Sequence, residues 1–399
     1  MKNILRYCGS ALIVYSVGIY AGANEELIDL NCYQQDFIID MKQITVPGFP
    51  GAFNAAMMPW KDGIFMVFRV RDENMVSNFK IGCVMLDNNF SPLSEPHILE
   101  IYNDDVRCLL RKQDPRLIVI ENALYIIYSD SIKIDDMMTR RMFIAEIQEQ
   151  QGRFFVDRPF CLDPFEGSDK RWQKNWSPFV YGDQLMLVYS LMPHRVMQPL
   201  VKEGGCFTHS STCSKMTWDW GHLRGGTPAL LDGDHYIAFF HSSKPMTTSY
   251  SKGKKIPHYV MGAYRFSAKP PFAITHISPY PIIDKTFYES PAYTTWKPLR
   301  VVFPMGCFIL YEDGKKYMMV SYGKQDFEIW VMKVDLDRLY ASLVECPLAD
   351  EITLCPEEKY NAFSLRDLLY EDRYSSYLAR AMLPFEQGDD REELSEELS

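Results

Sequence analysis

Asp62-Gly63-Ile64-Phe65-Met66-Val67-Phe68-Arg69 is a polar turn that runs directly into an apolar strand. Asp-Gly favours tight hairpins, because glycine reaches positive φ without steric cost. The same event occurs four more times, at Ala123-Leu124-Tyr125-Ile126-Ile127-Tyr128, Asp183-Gln184-Leu185-Met186-Leu187-Val188-Tyr189, Asp234-His235-Tyr236-Ile237-Ala238-Phe239-Phe240-His241 and Lys315-Lys316-Tyr317-Met318-Met319-Val320-Ser321-Tyr322. Each follows a polar turn containing Gly, Asp or Asn. The units recur about every 50 to 80 residues, a spacing compatible with propeller repeats. One strand pair cannot bury both its faces, whereas radial stacking of such units can. The reading is an all-β chain, a five-bladed β-propeller over about residues 46–340, with a short helical extension at its C-terminal end.

Each strand is preceded by a segment that would carry side chains to a common centre: Asn54, Asp114, Lys174 to Phe179, Arg224 to Pro228, and Phe303-Pro304. The flanks differ from this body. Lys2 and Arg6, the mostly apolar run Tyr7 to Tyr20, and Ala21-Gly22-Ala23 form the pattern of a cleaved export signal over residues 1–23. The alternative is a membrane anchor made by residues 7–22, although a span needs about 20 apolar residues. The propeller is expected over 24–345, an extension over 346–386 and an acidic, disordered tail over 387–399. Residues 24–45 are expected to cross the propeller or complete a blade, and 338–363 to be irregular. Ser364 to Met382 reads as a helix with Ser364 as its N-cap.

The net charge of −10, with no long Lys/Arg run, argues against nucleic acid, whose phosphates demand a basic face. Of ten cysteines, Cys8 lies in the signal, and none forms a C-x-x-C metal pair. Cys206 with Cys213, and Cys346 with Cys355, are close enough in sequence to pair in an oxidising compartment. Several cysteines can equally serve as small buried hydrophobes. No metal or organic cofactor is expected.

Three short motifs carry chemistry. In Gln113-Asp114-Pro115-Arg116 the proline excludes the helical region for Asp114 and fixes its direction; the alternative is a turn with a local Asp–Arg pair. Lys174-Asn175-Trp176-Ser177-Pro178-Phe179 places a cation, an amide and an indole on one loop, suited to a sugar, or else is a loop with a buried Trp. Arg224-Gly225-Gly226-Thr227-Pro228 combines a guanidinium, suited to a phosphate or a carboxylate, with glycines that let backbone approach a ligand. His241 closes the strand that follows, and a structural hydrogen-bonding role is its alternative.

In their order these pieces resemble glycoside hydrolase family 130 and related five-bladed propeller glycosidases. Phe53-Asn54-Ala55-Ala56 before Phe68-Arg69 is similar to the family's blade-one pattern. Gln113 to Arg116 resembles its Glu-Asp-Pro-Arg motif, Lys174 to Phe179 its Lys-bearing loop, and Gly225 to Pro228 with His241 its blade-four turn and strand. Val302-Phe303-Pro304 and Tyr322-Gly323-Lys324-Gln325-Asp326 resemble its closing pattern.

The resemblance implies an enzyme acting on β-mannosides by inverting phosphorolysis, giving mannose 1-phosphate, with an oligosaccharide and inorganic phosphate as substrates. It makes Asp114 the acid, acting through a sugar hydroxyl. Lys174, Arg224 and His241, with His194 and Arg195 after the blade-three strand, become a cationic phosphate cradle. Asn54, Arg69, Arg116, Asn175, Trp176 and Asp326 become substrate contacts. Asn54 stands where propeller hydrolases of family 43 place an Asp base, and Asn cannot accept a proton, which favours phosphate over water. Gln113 in place of Glu departs from the family, and an export signal is awkward for phosphorolysis. A hydrolase, a transferase working toward synthesis and a non-catalytic glycan-binding propeller are the alternative readings.

Overall fold

The computed structural model describes residues 27–72, 75–102, 108, 111–134, 137–162, 172–199, 205–289 and 298–354. Five sheets form the five blades of a propeller, as expected. In each blade the innermost strand turns into the second through a two-residue hairpin. The strands facing each other across these turns are Ala52–Trp60 with Gly63–Asp72, Gln113–Ile120 with Ala123–Ile134, Ser177–Tyr181 with Gln184–Leu191, Leu230–Asp232 with His235–Thr247, and Val302–Glu312 with Lys315–Lys324. Lys61, Gly182, Gly233 and the pairs Glu121/Asn122 and Asp313/Gly314 take positive φ there, the geometry of turns whose twist matches the flanking strands.

The strand over Gly63–Asp72 explains its continuous apolar run. Side chains alternate between faces along a strand. Phe65 and Val67 pack toward blade two with Leu117, Leu124 and Ile126. Ile64, Met66 and Phe68 pack toward blade five with Phe308, Met319 and Val331. Both faces are buried, so both parities are apolar. The remaining three hydrophobic clusters occupy the other three gaps between neighbouring blades.

The ring is closed from both ends of the described chain. Ile38–Ile44 pairs with Glu328–Asp335 as the outermost strand of blade five, Ile44 opposite Ile329. Residues 338–363 were expected to be irregular, but their described part is not. A short helix, Leu336–Ser342, is capped by Asp335, whose side chain accepts from the Arg338 amide, and it buries Leu336 and Leu339. Val344–Glu345 then pairs with blade four and Leu348–Leu354 with the outer edge of blade three. No helix among the described residues is long and apolar enough to cross a membrane. The export signal, the Ser364–Met382 helix and the acidic tail lie outside the described residues.

The Cys206–Cys213 pair does not form. Both residues lie on one strand, Cys206–Ser214. Seven steps along a strand span roughly 23 Å, far beyond the ~6 Å between α-carbons that a disulfide permits.

Candidate functional site

The inner strands converge, and each is irregular at the same end. Register shifts interrupt blade one between Phe53 and Ala56, blade two between Gln113 and Arg116, and blade five between Pro304 and Gly306. Blade four's inner strand is split into Arg224–Gly225 and Leu230–Asp232. Asn54 (φ 48°), Asp114 (φ 51°) and Asn175 (φ 62°) occupy the left-handed region at equivalent places in the first three blades. Bulges of this kind re-aim side chains, and backbones held in sparsely populated regions cluster at functional sites.

Around that centre Asp114 accepts a hydrogen bond from Arg69 Nη1 at 2.8 Å, a buried ion pair joining blades two and one. Arg69 also lies over the rings of Phe53 and Phe79, at 4.7 and 4.2 Å. Asn54 Nδ2 donates to Asp326 Oδ1 at 3.0 Å, bringing in blade five. Burial pushes the Asp326 carboxyl above the usual carboxylate range, against the pull of Arg69 and of the Asn54 bond, and Asp114 adds to the upward push. Gly323 makes this contact spatially feasible: a Cβ there would fall 1.6 Å from Asn54 Oδ1.

On the other side of the axis Arg224 and His241 are paired in register on adjacent strands. His241 is buried, 4.4 Å from the Phe303 ring, edge to face, and its Nδ1 has no hydrogen-bond partner. Burial holds its pKa well below the usual histidine value, and Arg224, Arg116 and Lys174 push it down further. This corrects the expected cation: His241 is a neutral imidazole beside the cations Arg224 and Lys174.

Arg116 is also corrected. It was expected to touch substrate, yet it is fully buried and ties three blades together. Its guanidinium donates to the carbonyls of Gly226 (2.5 Å), Asp114 (3.0 Å) and Gly225 (3.4 Å) and to Asn175 Oδ1 (3.3 Å). Burial lowers its pKa to about 10 even with Asp114 near it. Asn175 is thus occupied in holding Arg116. Gly225 and Gly226 are small for the protein's own backbone, since a Cβ would fall 2.1 Å from the Asn175 carbonyl oxygen and 2.4 Å from that of Phe239.

Trp176 does not face a sugar. It is 1% exposed, inside the core between blades two and three, and meets Tyr189 edge to face at 5.4 Å. His194 and Arg195 do not join the centre either. His194 is buried against Phe266 and Tyr264 of blade four, where burial lowers its pKa to about 4. Arg195 donates to Thr208 at 2.6 Å and lies over Tyr189. Both sit on blade three's third strand, two strands from the axis.

One residue that the sequence reading passed over belongs here. Arg71 donates to the Asp326 carbonyl oxygen at 2.8 Å and covers the Phe53 ring at 4.2 Å. The signal was present: Arg71 stands two residues after Arg69, and a strand turns every second side chain to the same face. Among the described residues no group of three or more His, Cys, Asp or Glu side chains could hold a metal ion.

No protein-family model matches the sequence, and no curated protein matches it. Solved structures do match the fold. A glycosyl hydrolase from Bacteroides ovatus is 15% identical, with 75% of this chain and 87% of that chain covered at a TM-score of 0.50. A mannose phosphorylase from Leishmania mexicana, solved in complex with phosphate ion, is 11% identical, with 79% and 93% covered and a TM-score of 0.50. At these identities the likeness is one of fold, and it agrees with the resemblance to propeller glycosidases read from the motifs.

Proposed function

We propose that the chain is a carbohydrate-active enzyme that cleaves a β-mannoside at the propeller axis by inverting phosphorolysis, giving mannose 1-phosphate. The observation that carries this reading is the arrangement around Asp114. A carboxyl group is aimed by a left-handed bulge and gripped by Arg69, while in blade four Arg224 on the inner strand is paired in register with neutral His241 on the second. Asp114 supplies the proton that the departing sugar needs, relayed through a substrate hydroxyl. Lys174 and Arg224 hold the phosphate dianion beside the neutral His241 ring. Cations placed where negative charge gathers stabilise the transition state without reorganising. Asn54, Arg69 and Asp326 hold the sugar. That a mannose phosphorylase of the same fold was solved with phosphate ion supports the choice.

A hydrolytic reading has one observation in its favour. Asp326 places a second carboxyl beside Asn54, with its pKa raised by burial, where it could serve as a base toward water. Incubation with manno-oligosaccharides, with and without inorganic phosphate, separates the two. Phosphate-dependent release of mannose 1-phosphate is the expected result. Release of free mannose at equal rates in both would establish the hydrolase, and no cleavage in either would overturn the enzyme reading.

A further inference from the structure

Residues 45–51 join the outermost strand of blade five to the innermost strand of blade one, and so cross the site-bearing end of blade five from rim to axis. Both ends of this crossing are fixed by the site. Ile44 lies opposite Ile329, three residues after Asp326. Ala52 opens the strand that carries Asn54 two residues later. Between the crossing and the Phe327–Ile329 segment runs a groove of ≈ 390 Å³. That volume lies within the ~300–1,000 Å³ common for ligand sites.

The groove is built rather than incidental. Phe49 donates its amide to Val46 at 3.0 Å, and Ala52 donates to Phe49 at 3.1 Å, giving two consecutive turns. Pro47 and Pro50 restrict them, Gly48 supplies a φ of 78°, and Phe49 is locked edge to face on Phe68 at 5.5 Å. Its floor is apolar, from Ile44, Val46 and Ile329, while Gln43, Thr45 and Glu328 add donors and acceptors. Phe327 stands at the lip, 41% exposed, directly after Asp326 in the chain. An apolar floor with a polar edge and an exposed flat ring matches a pyranose, which has an apolar face and a girdle of hydroxyls. A charged or fully apolar ligand would satisfy only half of it.

We propose that this groove is an accessory subsite for a neutral sugar of the same oligosaccharide that occupies the axial site, so that the enzyme prefers chains longer than a disaccharide. The proposal rests on the glycosidase reading above. Continuity decides the occupant: the groove begins one residue from Asp326 and two from Asn54, so a glycan leaving the axis on the blade-five side enters it.

The test compares kcat/KM for mannobiose and mannotetraose in the wild type, Phe327→Ala and Phe327→Trp. The tetraose-to-biose ratio should fall about ten-fold in Phe327→Ala, the loss expected for one ring-stacking contact, and be retained in Phe327→Trp. An unchanged ratio in Phe327→Ala overturns the subsite while leaving the axial reaction intact. If the wild type cleaves neither sugar, binding of mannotetraose followed by NMR decides. Binding lost in Phe327→Ala and kept in Phe327→Trp sustains the subsite without the reaction, and no binding refutes both. A change of oligomeric state in Phe327→Ala, seen by chromatography, would assign the groove to a second copy of the chain instead.

Discussion

Asn54 Nδ2 donates to Asp326 Oδ1 across 3.0 Å of space and 272 residues of chain, joining the first and last blades at the propeller centre. The bond adds a polar tie between two blades that already share a buried apolar seam. Its geometry depends on a third residue, Gly323, whose hydrogen faces Asn54. Gly323→Ala should therefore displace Asn54, release Asp326 and lower both stability and turnover. The added Cβ would meet the Asn54 side-chain oxygen at 1.6 Å, so that buried amide must swing off Asp326, and a loss of about 1–3 kcal/mol is expected. Urea unfolding alongside the cleavage assay checks it, and a variant with full stability and activity would refute the coupling.

Asp114→Asn preserves shape and removes the proton donor. The rate should fall by ~10²-fold or more, the size associated with loss of a general acid. Binding of substrate, measured by calorimetry, should change far less. Retention of cleavage in this variant would place the acid elsewhere, with Asp326 the next residue to test.

Arg224→Ala should raise the KM for inorganic phosphate by roughly 10- to 100-fold, the scale of losing a charge-assisted hydrogen bond. The KM for the sugar should move little. Indifference to this change, together with phosphate-independent cleavage, would be the signature of water as nucleophile.

Arg116→Met tests structure rather than chemistry. It leaves the carbonyls of Gly226, Asp114 and Gly225 and the Asn175 amide oxygen without their shared donor. Destabilisation of about 3 kcal/mol or more is expected, since buried acceptors lose their partners together. A stable but inactive variant would return Arg116 to the role of substrate contact.

His194 gives the fold an acid-sensitive seam between blades three and four. Its folded pKa of about 4 lies below the ordinary 6.5. Between those values the unfolded chain binds more protons, so stability is fully present above pH 6.5 and is lost as pH falls through 4. The contribution is roughly 3 kcal/mol across that window. His194→Leu should flatten the stability profile there, measured by denaturant midpoints at pH 4.5 and 7. An unchanged slope would show that the imidazole is not the group being titrated.

Fold class was legible because it rests on local, repeated signals. Five polar turns, each followed by an apolar strand, suffice to announce five blades. Hairpin geometry is a property of two or three residues, and burial of both strand faces writes itself as an unbroken apolar run. Asp114 stood out in the sequence through its motif, but its backbone did not: a residue before proline is expected to be extended, and Asp114 instead takes a left-handed φ of 51° at the blade-two bulge.

Burial and charge state were not legible in the same way. Arg116 and Trp176 stand in motifs that suit a ligand, yet neighbouring blades enclose both. His241 reads as a cation in sequence and is neutral in the fold, because desolvation and the charges of Arg224, Arg116 and Lys174 act through space. His194 and Arg195 are near the blade-three motif in sequence but two strands out from the axis. Asn54 and Asp326 meet only when the ring closes. The sequence by itself determined where the chain turns and which strands are apolar on both sides, because those are short-range properties of backbone and solvent. Which polar side chains reach the axis, which are enclosed and which proton each carries were decided by tertiary structure, because radial packing sets distances and dielectric between residues hundreds of positions apart.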